Sequence, residues 1–420
     1  MAKLQRILIF SLTYEPYVGG AEIALKEITD RIDQDAISFD MVTMRFDSAL
    51  PEIEQVGNVR VHRIGLHEES PQVSEAVSRK LTIGKLLFPF ISAWHAHRLH
   101  REEPYDAVWV MMANHAGFGG LLFKLLHPKI PMVLTLQDGQ SLDEVMKKHP
   151  ALKIFYRLYR AIYTHADVVQ VISTFLGDLA RNVGVTAPIV VIPNGVDIKR
   201  FSKRHSETQL AKLRERLGMK GSKRYLVTTS RLVLSRGVAD IIRALEYMPS
   251  HIELLVIGDG HEREELEQIA TEGQVGERVH FLGHIAHAEL PKYLQVANIF
   301  VRPSRVEGFG NSFVEAMAAG IPVIATPVGG IVDFLYDPEQ TPGKDPTGLF
   351  CHVGDPQGLA FAVRKLLEGP ELVAILTRNA SKLVAERYTW DLVAQRMEHE
   401  IFLPLIDSDV ASIDAEGKGR

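Results

Sequence analysis

The stretch IFVRPSRVEGFGNSFVEAMAAGIPVIAT, residues 299–326, joins two short apolar runs through a glycine-rich loop and one helical segment. IFVRPS is predicted to be a buried strand, GFGNS its exit loop, and SFVEAMAAG a helix that Gly320 ends before the next strand. Strand, helix and strand in this order are typical of a parallel βαβ unit. The stretch therefore predicts an α/β fold.

The same alternation of apolar runs and amphipathic stretches continues along most of the chain. The predicted strands of the first half are RILIFS, AVWVMM, PMVLTL, VVQVIS and IVVIP. Those of the second half are YLVTTS, ELLVIG, VHFLG, IFVRPS and PVIAT. Between the two sets, near residues 195–222, a Pro-Asn-Gly turn precedes a charged stretch without a strand-like run, which indicates a domain boundary. Two doubly wound domains are expected, with a ligand cleft between the carboxyl ends of their strands.

The expected boundaries follow from this pattern. We expect an N-terminal Rossmann-like domain over residues 1–200 and a C-terminal Rossmann-like domain over residues 201–385. Residues 386–405, which include RYTWDLVAQRMEHEI, are predicted to form a closing helix. Residues 406–420 are small, polar and aperiodic, so they are predicted to be disordered.

Composition and charge exclude several classes of protein. With 46% hydrophobic and 24% charged residues, the chain of 420 residues can bury large cores and is not disordered overall. A formal net charge of −5 argues against a dedicated nucleic-acid binder. Cys351 is the only cysteine, which excludes an internal disulfide and a cysteine-based zinc cluster and favours a reducing compartment. A cytoplasmic location is therefore expected.

Targeting and membrane signals are weak in this sequence. Lys3 and Arg6 precede the apolar run of residues 7–12, which is shorter than the core of a signal peptide. Elsewhere no run approaches the roughly 20 apolar residues that a membrane span needs. Any contact with a membrane is expected to be peripheral.

Two glutamates flank the glycine-rich loop of the opening stretch. Glu307 is predicted at the strand exit, and Glu315 within about the first turn of the helix. A loop that opens a helix exposes unpaired backbone N–H groups at the positive end of the helix dipole, which suits a phosphate. Carboxylates repel phosphate but accept hydrogen bonds from hydroxyl groups, so a sugar that carries phosphate would fit both features. Taken alone, these residues also allow a helix-stabilising Glu315 and a solvated Glu307.

The longer stretch PSRVEGFGNSFVEAMAAGIPVIATPVGG, residues 303–330, resembles the E-x7-E signature of the retaining glycosyltransferases of family four, which have the GT-B fold. Other landmarks similar to that family occur in order along the chain: GGAE, IPNGVD, TSRLVLSRG, IGDG, FLG and RYTWDLV. The resemblance implies two Rossmann-like domains that face each other across a cleft. It further implies that the first domain binds the acceptor, the second binds a nucleotide sugar, and the closing helix crosses back onto the first.

The resemblance assigns roles in donor binding. Arg231 and Arg236 would bind the diphosphate, although the family usually has lysine at the second position, and Arg differs from Lys in bulk and in its forked geometry. Glu307 would lie near the transferred sugar, and Glu315 would bind the ribose hydroxyls. The remaining implied donor-binding residues are Gly19, Gly20, Gly258, Asp259, Phe309, Gly310 and Asn311. Gly258 and Asp259 do not begin a dinucleotide fingerprint, because Arg263 stands where its third glycine would be.

Further residues are implied on the acceptor side. His115, which follows a predicted strand, resembles a strand-end histidine that lies near the hydroxyls of the sugar, and the other interpretation is a buried structural histidine. Asn114, Gln137 and Asp138 are candidate acceptor contacts, although the family often has histidine at position 137.

The expected activity is retaining transfer of a hexosyl unit from a UDP- or GDP-sugar to a glycan, glycolipid or lipid-phosphate acceptor. The resemblance implies a same-face reaction in which the leaving phosphate acts as the base, with no metal and no cofactor. The alternatives are a nucleotide-sugar epimerase of GT-B architecture, which would need acid and base residues that are not evident, and an inactive GT-B partner subunit. The nucleotide base, the sugar, the acceptor and the oligomeric state do not follow from the sequence.

A basic and aromatic segment raises the question of membrane contact. Residues 78–101 contain five Lys or Arg and no Asp or Glu, with Leu, Phe, Ile and Trp interspersed, and KKHPALKIFYRLYRAIYTH, residues 147–165, has the same character. One hypothesis is peripheral binding to an anionic membrane at the inner face of the plasma membrane. The other is that the aromatic side chains face the core, with Pro89 breaking the first segment.

Overall fold

The computed structural model describes residues 4–17, 19–69, 79–139, 146 and 155–406. The described residues form two compact units, one within Met1–Asn194 and Trp390–Arg420, the other Gly195–Thr389. Each is built on a mainly parallel sheet, as expected from the βαβ pattern.

The first unit contains an eight-stranded sheet in the order β3-β4-β2-β1-β5-β6-β7-β8. Its strands are β1 (Gln5–Phe10), β2 (Ile37–Met44), β3 (Ile53–Val56), β4 (Val59–Ile64), β5 (Ala107–Met111), β6 (Met132–Leu136), β7 (Val168–Val171) and β8 (Ile189–Val191). The β3–β4 pair is antiparallel, and the other pairs are parallel. Its helices are α1 (Gly20–Thr29), α2 (Arg79–Glu102), α3 (His115–Leu126), α4 (Tyr156–Thr164) and α5 (Thr174–Val183).

Strands β2, β3 and β4 were not predicted from the sequence. Asp40 interrupts the apolar run of β2, and Arg60 and Arg63 interrupt that of β4, so neither segment has the continuous apolar pattern of the predicted strands. In the structure Asp40 is buried in the sheet, where it accepts hydrogen bonds from Arg6 Nη2 at 2.9 Å and Arg60 Nε at 2.5 Å. A buried charge is tolerated in a sheet when it is paired in this way.

The second unit contains a six-stranded, all-parallel sheet in the order β11-β10-β9-β12-β13-β14. Its strands are β9 (Arg224–Thr229), β10 (Ile252–Ile257), β11 (Val279–Gly283), β12 (Ile299–Arg302), β13 (Val323–Ala325) and β14 (Leu349–Phe350). Its helices are α6 (Ile198–Phe201), α7 (Glu207–Arg216), α8 (Val238–Ala244), α9 (Arg263–Glu272), α10 (Leu290–Val296), α11 (Asn311–Ala318), α12 (Pro356–Glu368) and α13 (Pro370–Arg387).

The strand order of the second unit fixes where a ligand would bind. From β9 the chain moves outward to β10 and β11, then returns to β12 on the other side of β9. The order therefore reverses between β9 and β12. In open α/β sheets ligands bind outside the carboxyl ends of the strands at such a switch point.

The chain returns to the first unit after α13. Helix α14 (Trp390–Arg396), a π-helical turn (Met397–Phe402) and α15 (Leu403–Ile406) pack against its sheet. The ring of Phe402 lies 6.0 Å from Phe39 and 5.1 Å from Trp109, and Arg396 Nη2 donates to the Val191 carbonyl at 3.0 Å. Ile406 ends the last described helix, and residues 407–420 of the predicted disordered tail lie outside the described residues.

Helix α2 is continuous through Pro89, so the prediction that Pro89 breaks this segment is wrong. A proline inside a helix removes one hydrogen bond and costs about 3 kcal/mol. Close packing against α3 offsets this cost. Phe88 and Ala96 are buried, and Ser92 packs so closely on Gly119 of α3 that a Cβ on Gly119 would lie only 2.4 Å from Ser92 Oγ. Among the described residues, no helix is long and apolar enough to span a bilayer.

Candidate functional site

The loops that follow β9, β12 and β13 meet at the carboxyl edge of the second sheet. Gly237 has φ +69°, and a Cβ there would lie 2.1 Å from the Pro303 carbonyl oxygen. Gly329 has φ +54°, and a Cβ there would lie 1.8 Å from the Glu307 carbonyl oxygen. Only glycine satisfies both the backbone angle and the space at these positions. The glycines of this region therefore bring three loops into contact around Glu307.

The carboxylate of Glu307 is the centre of a charged cluster. Although it lies in a loop five residues after β12, Glu307 is only 7% exposed. Its Oε2 accepts hydrogen bonds from Arg236 Nη1 at 2.6 Å and Arg302 Nη2 at 2.7 Å, and a longer one from Ser304 Oγ at 3.3 Å. The structure thus brings Arg236 and Glu307 into direct contact, and the interpretation of Glu307 as a solvated loop residue does not hold.

Arg302 is a member of this cluster that the sequence analysis missed. Its side chain is buried at the end of β12, where Nη1 donates to the Thr229 carbonyl at 3.1 Å and to Ser312 Oγ at 2.5 Å. Its guanidinium carbon lies 4.3 Å from the centre of the Phe313 ring. The sequence did contain a signal for this residue: Arg302 ends an apolar run that was predicted to be a buried strand, and a buried arginine needs a polar partner.

The electrostatics of the cluster leave a positive charge in excess. Burial is the largest cause that lowers the pKa of Arg302, and the charge of Arg236 adds to it; although the charges of Glu307 and Glu315 oppose this shift, the pKa is lowered to about 10. Arg236 and Arg302 share one carboxylate, so two cations are paired with one anion. Such a site attracts an additional anion, for example a phosphate.

Glu315 belongs to a second set of contacts beside the cluster. It is the fifth residue of α11, which begins at Asn311, and so lies about one turn into the helix, as expected. Its Oε1 lies 2.8 Å from His287 Nε2, and His287 Nδ1 lies 3.2 Å from Arg200 Nη1. His287 and Arg200 were not identified from the sequence, since neither lies in the glutamate motif.

The start of α11 is shaped by Gly310, whose φ of +103° places it in the left-handed region that favours glycine. Phe309 is buried, with its ring 5.1 Å from Phe334 and 5.6 Å from Tyr388. The side chain of Phe309 is thus part of the core, which leaves its backbone N–H as the group that could contact a ligand. Asn311 is the first residue of the helix.

Arg231 forms no hydrogen bond or ion pair with the described residues of the Glu307 cluster. It is exposed two residues after β9, and its guanidinium makes no hydrogen bond or ion pair with the described part of the chain. The following loop is tied to the loop after β10, because Leu232 N–H donates to the Asp259 carbonyl at 2.9 Å. Gly258 has φ +129°, and a Cβ there would lie 1.8 Å from the Ser230 carbonyl oxygen. Gly258 and Asp259 therefore form a turn that positions the segment carrying Arg231.

In the first unit, Gly19 and Gly20 stand at the beginning of α1. Gly19 N–H donates to Glu22 Oε2 at 2.8 Å, and the other oxygen of this buried carboxylate accepts from Thr13 Oγ1. Glu22 therefore fixes the loop that follows β1 instead of facing a ligand. Gly20 is the first residue of the helix, where backbone N–H groups have no partner within the helix.

Asn114 and His115 begin α3. Asn114 caps the helix by accepting a hydrogen bond from Ala116 N–H at 2.8 Å, while His115 is the half-buried first helical residue. The glycines that follow serve packing: a Cβ on Gly120 would lie 2.3 Å from Val110 Cγ2. Asn114 therefore has a structural role as a helix cap, and His115 lies in the segment that follows the carboxyl end of β5.

Gln137 and Asp138 follow β6. The amide of Gln137 forms two hydrogen bonds with the amide of Asn194, at 3.1 and 2.9 Å. Asp138 is exposed beside this pair. Asn194 belongs to the IPNGVD segment, so the pair joins two of the motifs that the sequence analysis singled out.

Comparisons with known proteins identify the family of the chain. Residues 210–383 match the family described as glycosyl transferases group 1, and residues 19–195 match the glycosyl transferase 4-like domain. The GDP-mannose-dependent alpha-(1-6)-phosphatidylinositol monomannoside mannosyltransferase of Mycobacterium tuberculosis is 31% identical over 317 residues, which cover 71% of this chain and 76% of that protein.

Solved structures share the fold. Sucrose-phosphate synthase from Thermosynechococcus elongatus superposes with a TM-score of 0.77 at 24% identity, covering 97% of this chain and 100% of that one. Anabaena HepE, crystallised with UDP-glucose, gives a TM-score of 0.72 at 22% identity, with coverage of 97% and 99%. The predicted fold and enzyme class are confirmed. The chain belongs to the group 1, family four glycosyltransferases, has the GT-B fold, and is a glycosyltransferase that uses nucleotide sugars.

Proposed function

We propose that this enzyme transfers a hexosyl unit, with retention of anomeric configuration and without a metal ion, from a UDP- or GDP-sugar to a hydroxyl of a glycan, glycolipid or lipid-phosphate acceptor. The observation that carries the proposal is the Glu307 cluster, in which two arginines share one carboxylate at the switch point of the second sheet. A cation in excess beside a carboxylate suits a ligand that combines phosphate with sugar hydroxyls.

The two arginines of the cluster are proposed to act differently. Arg236 is 22% exposed at its side chain, whereas Arg302 is 6% exposed and bonded on several sides. Arg236 can therefore turn from Glu307 toward a donor diphosphate while Arg302 holds the carboxylate in place. Arg231 and the backbone N–H groups of Phe309, Gly310 and Asn311 supply further positive potential for the leaving diphosphate.

The proposed reaction needs no protein nucleophile. The acceptor hydroxyl oxygen forms a bond to the anomeric carbon on the face from which the diphosphate leaves, and the bond from that carbon to the phosphate oxygen breaks. The hydroxyl proton passes to the departing phosphate oxygen, so the products are a glycoside and a nucleoside diphosphate. Arg231 and Arg236 stabilise the charge that develops on the leaving group, and removal of one such group typically costs about 10²-fold or more in rate.

Glu307 and Glu315 are proposed to hold the hydroxyl-bearing parts of the donor. Glu307 would accept from the transferred sugar, and Glu315 from the ribose. Gly19, Gly20, Gly258 and Asp259 shape the loops around the donor.

The first unit is proposed to bind the acceptor. His115 is the candidate contact to the sugar hydroxyls, and Asp138 the candidate contact to the acceptor. Asn114 and Gln137 are engaged as a helix cap and in an amide pair, so any role they have would be to shape this surface. The Mycobacterium tuberculosis relative is named for a lipid acceptor, which supports the lipid class of acceptor.

Helix α2 carries the feature that supports a membrane location. Leu86, Phe90 and Trp94 are 61%, 65% and 58% exposed, and their spacing of four residues places them along one face of the helix. Phe88 is buried, so the expectation that the aromatic side chains face the core holds for only part of this segment. Arg98, four residues after Trp94 and 5.2 Å from its ring centre, adds a cation to this face, which therefore suits an anionic bilayer. We propose that the enzyme works at the inner face of the plasma membrane. Residues 147–154 of the second basic segment lie outside the described residues.

Sedimentation with vesicles tests the membrane proposal. Wild type is expected to bind phosphatidylglycerol vesicles at low salt, and Phe90→Ser with Trp94→Ser is expected to lose most of this binding. Phe361→Ser is the matched control, because Phe361 is 66% exposed on α12 of the other unit. Equal binding by all three proteins, or none by wild type, would reject the role of α2.

A donor screen tests the proposed activity. Purified enzyme is incubated with UDP-, GDP- and ADP-sugars in the presence of EDTA, and products are identified by NMR. Transfer or hydrolysis that retains the anomeric configuration supports the proposal, epimer formation supports an epimerase, and binding without turnover supports an inactive subunit.

Two variants test the assigned roles. Arg231→Ala is expected to abolish transfer and Glu315→Ala to weaken donor binding. Wild-type behaviour of either variant would reject its assigned role.

A further inference from the structure

His287 lies between Glu315 and Arg200, an arginine outside the motifs that the sequence analysis identified. Its Nε2 is 2.8 Å from Glu315 Oε1, and its Nδ1 is 3.2 Å from Arg200 Nη1. His287 is 37% exposed and Glu315 is 14% exposed at their side chains, so the pair lies at the edge of the buried region. One imidazole therefore joins the proposed ribose-binding carboxylate to the segment at the start of the second unit.

The chemistry of the partners defines the tautomer of His287. An arginine side chain has only donors, so Nδ1 must accept the hydrogen bond from Arg200. In the neutral ring the proton then resides on Nε2, which faces Glu315 Oε1 and donates to it. Arg200 thus holds the imidazole in the one neutral form that can bond to the carboxylate.

Neighbouring residues fix this arrangement. Asp197 caps α6 by accepting from Arg200 N–H at 3.0 Å, and its other carboxylate oxygen lies 3.4 Å from Arg200 Nη2. Phe201 is fully buried, and its ring centre lies 5.3 Å from that of His287. Both the guanidinium and the imidazole are therefore restrained before any ligand arrives.

We infer that His287 is a positioning residue for donor binding: its bond to Oε1 orients Glu315 so that the remaining lone pairs of the carboxylate accept the ribose hydroxyls. The inference rests on the proposed function, in which Glu315 binds the ribose. Without this bond the carboxylate can occupy other rotamers, and binding must then restrict it. Loss of a hydrogen bond to a charged group at such a position is expected to weaken nucleotide binding about tenfold.

The test measures nucleotide affinity by calorimetric titration. The probes are UDP, GDP or ADP, whichever wild type binds tightest, and the 2′,3′-dideoxy form of the same nucleotide. His287→Leu is expected to weaken binding of the ribonucleotide about tenfold and to change binding of the dideoxy form little. His287→Gln, whose amide can donate from a similar place, is expected to restore most of the affinity. Arg200→Met is expected to change affinity in the same direction by a smaller factor.

A double-mutant cycle separates positioning from a general structural effect. In a Glu315→Ala background, His287→Leu is expected to cause no further loss of ribonucleotide affinity. An equal loss in both backgrounds, or an equal loss for the ribo and dideoxy nucleotides, would overturn the inference. Melting temperatures of all variants identify any that fold poorly, and His287→Gln then supplies the comparison.

The outcomes also separate this inference from the proposed function. If Glu315→Ala leaves ribonucleotide affinity unchanged, the proposed role of Glu315 fails. If Glu315→Ala weakens binding but His287→Leu does not, only the role of His287 fails.

Discussion

Two buried carboxylates, Asp40 in the first unit and Glu307 in the second, have nearly the same immediate surroundings. They are 4% and 7% exposed, and each accepts hydrogen bonds from two arginines. Asp40 sits in the middle of β2, where Glu103 also pairs with Arg6 at 2.7 Å and with Arg60 at 3.7 Å. Two cations therefore meet two anions, and the cluster is balanced.

The Glu307 cluster lacks this balance. Within the described residues, no second carboxylate forms an ion pair with Arg236 or Arg302, so the directly paired groups carry one positive charge in excess. The cluster also lies at the carboxyl edge of the sheet beside a switch point, whereas Asp40 lies within a strand. A buried ion pair alone thus does not indicate a site; the residual charge and the position in the fold distinguish the two clusters.

The largest expected effect concerns Arg236. Arg236→Ala removes the cation that is proposed to meet the diphosphate, so kcat/KM for the donor is expected to fall about 100- to 1000-fold. Arg236→Lys keeps the charge and is the matched control, with a much smaller expected loss. Steady-state kinetics with a melting curve for each variant check this, and unchanged kcat/KM in Arg236→Ala would remove Arg236 from the mechanism.

A paired substitution sharpens the comparison of the two clusters. Arg302→Met leaves Glu307 with one arginine and is expected to lower kcat/KM more than about tenfold, because the carboxylate loses its fixed partner. Arg60→Met in the balanced cluster is expected to lower stability by about 1 kcal/mol and leave kcat unchanged, because Arg60 is partly exposed. Urea unfolding and kinetics of both variants provide the measurement. An activity loss of the same size in Arg60→Met would erase the distinction.

The smallest effect concerns acid stability. Burial alone would raise the pKa of Asp40, but hydrogen bonds from His62, Arg60 and Arg6 hold it well below its ordinary value of 3.8. A carboxyl group with a lowered folded-state pKa contributes stability above its unfolded-state pKa and loses this contribution as the pH falls below that value. The melting temperature of wild type is therefore expected to fall more steeply between about pH 4 and about pH 2, that is, from the unfolded-state pKa downward, than that of Asp40→Asn. Parallel curves for the two proteins would contradict this.

The sequence indicated the parts of the fold that are apolar and local. Each of the ten predicted strands has a counterpart, because a buried parallel strand is a nearly continuous apolar run. Strands β2 and β4 were missed because their charged residues are neutralised by partners distant in sequence, such as Arg6 for Asp40. Strand β14 has only two residues and no periodicity to detect.

In the candidate site, too, residues in contiguous motifs could be predicted from the sequence, whereas residues that depend on tertiary contacts could not. Glu307, Glu315 and Arg236 belong to contiguous motifs, so their neighbourhood could be inferred. Arg302, His287 and Arg200 act through contacts that tertiary packing creates. Arg200 and Glu315, for instance, are 115 positions apart, and only the structure shows His287 between them.

The central claim is that the second unit binds a nucleoside diphosphate through arginines, without a divalent cation. Calorimetric titration of wild type and Arg236→Ala with UDP, GDP and ADP in EDTA tests this most directly. The account predicts that at least one nucleotide binds wild type in EDTA and binds Arg236→Ala at least about tenfold more weakly. Binding that appears only after Mg²⁺ or Mn²⁺ is added, or equal binding by the two proteins, would contradict it.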